Sequence, residues 1–216
     1  ILVIYRHYWP DATSYAWILK AVCERLASDG HEVTVYAAQP SYNDLGLEAR
    51  PKNETVGGVR ILRRDLPSEQ KTRTWSRVRN MVLFLGGAIW HALRSPRYDL
   101  VLCNTTPPVF QGFAARMIRL FRGTPYIYNC QDLHPEAGLY GGSFKPGLLY
   151  KVLMWLDKMN VRDAAAAVVL SDDMTGSLED RGLAVDNVRV INNMVIDANT
   201  GTDAELPAAR AGRSSQ

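Results

Sequence analysis

Short apolar runs alternate with longer amphipathic segments along most of this chain, and that alternation predicts an α/β fold. Ile1 to Tyr5 reads ILVIY, a continuous apolar run of the kind that marks a strand buried on both faces. A polar loop follows, and Thr13 or Ser14 then caps a predicted helix to Ser28, with Ala16, Leu19, Val22, Cys23 and Leu26 at helical spacing. Asp29-Gly30 stops it, and Glu32 to Ala37 gives a second strand. One β-α-β unit in the first 37 residues favours a parallel sheet. Pro40 to Gly58 is polar and rich in Gly, Pro and Asn, and reads as an excursion loop.

The pattern then repeats. Strands are predicted at Val59–Arg63, Asp99–Cys103, Pro125–Tyr128, Ala164–Leu170 and Val188–Ile191. Helices are predicted at Trp75–Leu93, Val109–Phe121, Phe144–Arg162 and Ser171–Arg181, the last capped by Ser171 with Asp172 and Asp173 complementing its dipole. The expected fold is a doubly wound, mainly parallel sheet with helices on both faces, over residues 1–197. From Ala198 the chain turns polar and rich in Ala, Gly, Ser and Thr, and reads as a linker or tail over 198–216.

Composition changes this picture little. A hydrophobic content of 47% and a charged content of 22% suit a globular core. Cys23, Cys103 and Cys130 are widely spaced, with no CxxC pair, so neither a zinc site nor a disulfide framework is indicated and a reducing, cytoplasmic setting fits. Ile1 opens inside a strand pattern, so the native chain is expected to start earlier. The net charge of +3 does not call for nucleic acid. Its distribution is more telling. From Arg60 to Arg97 nine basic residues face only Asp65 and Glu69. Inside this region the helix middle, Met81 to Trp90, is apolar almost all round, yet too short to span a bilayer. Two readings stay open: a helix buried against the sheet between solvated arginines, or a basic, apolar element on an anionic membrane surface. Both hold if the helix buries one face and presents the other.

Parallel strands point their C-terminal ends one way, and open α/β sheets bind ligands at that rim. The rim collects Arg6 to Ser14, Cys103 to Pro108 (with Thr105 and Thr106), Asn129 to Glu136, and Ser171 to Asp173, with Asn192 and Asn193 joining them. The densest group is NCQDLHPEAGLYGG from Asn129 to Gly142, which sets Gln131, Asp132, His134 and Glu136 after a strand. The helix starts at Thr13/Ser14 and Ser171 are seats for phosphate. The first loop lacks a Gly-x-Gly-x-x-Gly fingerprint, which disfavours a dinucleotide cofactor, and no Walker loop or G-x-S-x-G elbow is present. His134 with Asp132 and Glu136 could hold a metal, but no second cluster supports one, and His7 and His31 are isolated; no metal is expected. His91 reads as a surface or packing residue.

Four segments in order then resemble a known family. SDGHEVTVYA, YDLVLCNTTPPVFQGFAAR, YNCQDLHPE and VVLSDDMTGSLEDRGLAVDNVRVINNMVID resemble the corresponding stretches of family 4 of the retaining glycosyltransferases. YNCQDLHPE resembles the QDLWPE variant of the branch acting in O-antigen, colanic acid and capsule synthesis. The resemblance covers Ile1 to Asp197. It implies a Rossmann-like domain forming the N-terminal, acceptor-side half of a GT-B fold, with the donor-binding C-terminal domain lying beyond this chain, so that the fragment alone would be inactive. Donor substrates would be nucleotide-sugars and no cofactor is implied.

Carried over by resemblance, Gln131 and Asp132 match positions near the transferred sugar, and Glu136 matches the Glu of the PE ending. In this reading Asp132 orients or deprotonates an acceptor hydroxyl, with Gln131 and Glu136 beside it. His134 stands where the branch often has Trp. Thr13 and Ser14 replace a Gly pair near the donor phosphate. Asn193 matches a hinge Asn, and Met194 replaces the usual Gly. Acceptors in the branch are lipid-linked sugar diphosphates at the cytoplasmic membrane face, which gives Arg77, Arg79 and Arg94 a membrane or diphosphate to meet. The competing expectation is a non-catalytic recruiting subunit that docks on the membrane and pairs with a separate donor-binding chain. A nicotinamide-dependent oxidoreductase or epimerase is disfavoured by the missing glycine fingerprint.

Overall fold

A computed structural model describes residues 1–11, 13–40, 49–68, 74–133 and 147–193. Eight strands form one sheet: β1 (Leu2–Ile4), β2 (Thr34–Ala38), β3 (Asn53–Val56), β4 (Val59–Arg64), β5 (Val101–Asn104), β6 (Tyr126–Cys130), β7 (Ala166–Val169) and β8 (Val188–Val190). Their order across the sheet is β3-β4-β2-β1-β5-β6-β7-β8. Every pairing is parallel except β3 with β4. Among the described residues five helices cover it: α1 (Ser14–Ser28), α2 (Thr74–Arg94), α3 (Phe110–Arg122), α4 (Leu148–Asp163) and α5 (Asp172–Asp180). The predicted helix start at Phe144 lies outside the described residues.

β3 corrects the excursion loop expected from Pro40 to Gly58. Asn53–Val56 pairs with β4 through Gly57 and Gly58, both left-handed at φ 56° and 78°, the signature of a tight hairpin turn. As an edge strand it is exposed at every other position, and NETV therefore lacks the apolar run that announces a central strand.

Alternation along the strands splits the core in two. On one face Val3, Val35, Ala37 and Ile61 pack against Ala16, Leu19 and Cys23 of α1. On the other, Leu2, Ile4, Cys103, Tyr126 and Tyr128 pack against Phe84, Leu85 and Ala88 of α2, Ala114, Ala115 and Ile118 of α3, and Val161 of α4. Each such apolar side chain removed from water is worth about 1.5–3 kcal/mol. The three thiols are buried and free. Burial pushes Cys23 up to about 12 and raises Cys103 and Cys130 as well, so all three act as packing groups.

Polar anchors lock the layers. Asp157 of α4 accepts from the Tyr128 hydroxyl at 2.9 Å and pairs with Arg181 at 2.7 Å, all three buried. Arg63 of β4 pairs with Glu54 at 2.8 Å and donates to the Trp9 carbonyl at 2.8 Å, tying the loop after β1 to the far side of the sheet.

Candidate functional site

The chain leaves β1 toward β2 on one side, and later strands add from β5 on the other, so the topological switch lies between β1 and β5. A crevice outside the strand C-termini is expected there. Several local devices build it. Gln111, in the first turn of α3, donates its side-chain amide to the Ile4 carbonyl and ties α3 to the end of β1. Between β5 and α3, Asn104 accepts from the Thr106 amide at 2.9 Å, and Val109 sits at φ 64°. A left-handed β-branched residue is strained, and such strain collects where the surroundings over-determine a loop. Here the Asn160 amide of α4 holds the Val109 carbonyl at 2.8 Å.

Side chains from four segments meet at this rim. Asn193 donates to Gln131 at 2.9 Å, Gln131 donates to Asn129 at 2.9 Å, and Asn129 donates to the Tyr15 hydroxyl at 2.8 Å. The Tyr15 ring meets Tyr5 edge-on at 5.2 Å, and the Tyr5 hydroxyl lies 3.4 Å from Thr13 Oγ1. Burial, more than the neighbouring Tyr5, pushes the Tyr15 phenol up, so it stays protonated and keeps its own O–H to donate. The result is a file of amides and hydroxyls fixed by one another, the type of surface that matches sugar hydroxyls.

The predicted residues fall into place unevenly. Gln131 and Asn193 are bonded together. Thr13 caps α1, its Oγ1 accepting from the Ala16 amide at 3.2 Å. Ser14 is the first residue of α1. Asp132 is exposed beside Gln131, with no hydrogen bond or ion pair among the described residues. Thr105 is buried with its hydroxyl unpartnered, as is the Asn104 amide nitrogen, whereas Thr106 is exposed. Ser171 precedes α5 but makes no side-chain capping bond, which corrects the helix cap expected of it; Asp172 and Asp173 in the first turn remain to complement the dipole. His134 and Glu136 lie outside the described residues.

The basic trio does not form one cluster. Arg77 and Arg79 sit near the rim end of α2, where Arg79 donates to the Ser68 carbonyl at 3.4 Å. Arg94 is seventeen residues beyond Arg77, about 25 Å along the helix, with its guanidinium 3.7 Å from the Trp90 ring centre.

Tyr15 lies just outside the rim stretches read from the sequence, and His7 and Asn129 lie within them without an assigned role. Tyr15 and Asn129 join the polar file. His7, taken as isolated, has Nδ1 3.2 Å from Oδ2 of the fully buried Asp11, which fixes the imidazole at the end of β1. The four-residue spacing of His7 and Asp11 across the Trp9-Pro10 turn was the available signal. Among the described residues no group of three or more His, Cys, Asp or Glu is placed to hold a metal ion.

The sequence matches the glycosyl transferase 4-like domain over residues 3–194. No curated protein sequence matches the chain. Among solved structures it is similar to a sucrose-phosphate synthase from Thermosynechococcus elongatus, with a TM-score of 0.64 and 15% identity over 88% of this chain and 47% of that one. It is similar to Anabaena Alr3699/HepE in complex with UDP and glucose, with a TM-score of 0.53 and 11% identity over 89% of this chain and 44% of that one. It is also similar to CalG4, the calicheamicin glycosyltransferase, with a TM-score of 0.53 and 14% identity over 95% of this chain and 55% of that one. The chain thus spans about half the length of these structures.

Proposed function

Because the chain belongs to the glycosyl transferase 4-like family, we propose that it is the acceptor-binding half of a retaining transferase. In this reading the enzyme moves a sugar from a nucleotide-sugar to a lipid-linked glycan at the cytoplasmic membrane face, during cell-surface polysaccharide synthesis. The observation that carries the reading is the polar file Asn193–Gln131–Asn129–Tyr15 at the sheet's switch point, with the exposed Asp132 carboxylate at its side. Hydroxyl-rich acceptors need several donors and acceptors held in fixed directions, and a carboxylate beside them can accept a hydroxyl proton or orient it. The donor class is supported by a neighbour of the same fold, Alr3699/HepE, whose structure is a complex with UDP-glucose.

The test is turnover by the full-length protein with nucleotide-sugar donors. Asp132→Asn keeps the shape and removes the base, and a fall of about 10²–10⁴ in kcat is expected. Normal turnover in this variant would remove Asp132 from the chemistry.

A further inference from the structure

The layer formed by α2, α3 and α4 has two faces, and only one is accounted for by the sheet. Each helix begins near the strand-end rim and runs back beside its neighbour, so their outer sides form one broad surface. That surface is not polar. Trp75, Val82 and Trp90 of α2 are 77%, 58% and 55% exposed. Leu120 and Phe121 of α3 are 70% and 64% exposed. Leu148, Leu149 and Trp155 of α4 are 79%, 61% and 58% exposed. Three of the chain's five tryptophans therefore lie on one side of one layer. Apolar patches of this kind mark a surface that meets something.

Charge says what it meets. The three helices carry nine Lys and Arg residues against two aspartates, although the whole chain is only +3. Both aspartates are neutralised where they stand. Asp157 is buried with Arg181. Asp163 is held by Arg116 at 2.6 Å and Arg162 at 3.1 Å; burial alone would raise its pKa, but these bonds outweigh it and hold the carboxyl below the usual range. Among the described residues of these helices, the outer side thus shows apolar rings with Arg77, Arg94, Arg119 and Lys151 exposed, and no acid besides the paired Asp163. Arg94 lies over the Trp90 ring, the pairing in which an indole meets the apolar side and a guanidinium the charged one. No helix among the described residues is long and apolar enough to cross a membrane.

We infer that the outer surface of α2, α3 and α4 together lies on an anionic lipid bilayer. Tryptophans at headgroup depth and cations against anionic headgroups are the two attractions such a surface needs. Because the helices start at the rim, this pose sets the Gln131–Asn129 file beside the headgroup layer, within reach of an acceptor whose lipid stays in the membrane. The inference names the membrane-facing surface for the acceptor proposed above, but it uses no rim residue and stands if that reading fails.

The experiment is flotation of the full-length protein with vesicles of phosphatidylcholine, with and without phosphatidylglycerol. Binding is expected only with phosphatidylglycerol, weakening as salt rises. Arg119→Ser with Lys151→Ser, both exposed, should weaken it about thirtyfold, about fivefold per cation. Trp155 should show a blue-shifted emission and quenching by brominated lipid. Equal binding to phosphatidylcholine, no binding at all, or a dimer in solution with Trp75 and Trp155 at its interface would each overturn the inference. Transfer to a water-soluble acceptor should survive the double substitution, so loss of flotation alone leaves the transferase reading intact, and loss of transfer in Asp132→Asn leaves the membrane surface intact.

Discussion

The strand-end rim and the outer side of the helical layer are built on opposite plans. At the rim, polar side chains drawn from distant segments bond one another: Asn193 to Gln131, Gln131 to Asn129, Asn129 to Tyr15. On the outer layer, large apolar groups and cations stand in solvent, and the acids nearest them are tied up from within. The first plan fixes directions before any ligand arrives, as the proposed recognition of a glycan would require. The second leaves directions loose, which suits adhesion to a surface with no fixed pattern. The two regions share no residue, so the proposed chemistry and the proposed membrane contact can be tested by separate substitutions.

The contrast can be broken where the acids sit. Asp157→Ala would remove the buried carboxylate that both Arg181 and the Tyr128 hydroxyl bond. A loss of about 3–5 kcal/mol in unfolding free energy is expected by denaturant titration. Vesicle affinity per folded molecule should not change, because Asp157 faces inward; a gain or loss there would mean that it belongs to the outer surface after all. A smaller effect sharpens the same point at His91, on the inner side of α2. Its ring stacks on Tyr36 at 5.7 Å and lies 2.9 Å from the Tyr98 hydroxyl. Burial first, then Arg60 and Arg64, hold its pKa below 6.5. The unfolded chain therefore takes up a proton that the folded chain resists. Stability should be intact above pH 6.5 and fall as pH drops from there toward the depressed value. His91→Gln should flatten that limb of the pH–stability curve, and an unchanged slope would assign it elsewhere.

Much of the framework was legible because it is made by local pattern. ILVIY and DLVLC announce buried strands, and helical spacing announces α1. β3 was missed because an exposed edge strand alternates, and NETV before a Gly pair looks like loop when read for apolar runs alone. That α2 was a helix could be read from its sequence; which of its apolar sides met the sheet could not, because Phe84 and Val82 differ only in where neighbours lie. The polar file was hidden for a similar reason. Tyr15 and Asn129 are 114 positions apart, and Gln131 and Asn193 are 62 apart, so no local motif joins them. His7 and Asp11, only four apart, were within reach of a spacing argument.

This half of the protein is proposed to hold the acceptor. The most direct test is steady-state kinetics of Gln131→Ala in the full-length protein, varying acceptor and nucleotide-sugar independently. Gln131 links Asn129 to Asn193, so its loss should raise the acceptor KM about tenfold or more, the effect of one or two hydrogen bonds to a neutral ligand. The donor KM should stay where it was. A rise confined to the donor KM, with the acceptor KM unmoved, would contradict the account and assign the rim to the nucleotide-sugar.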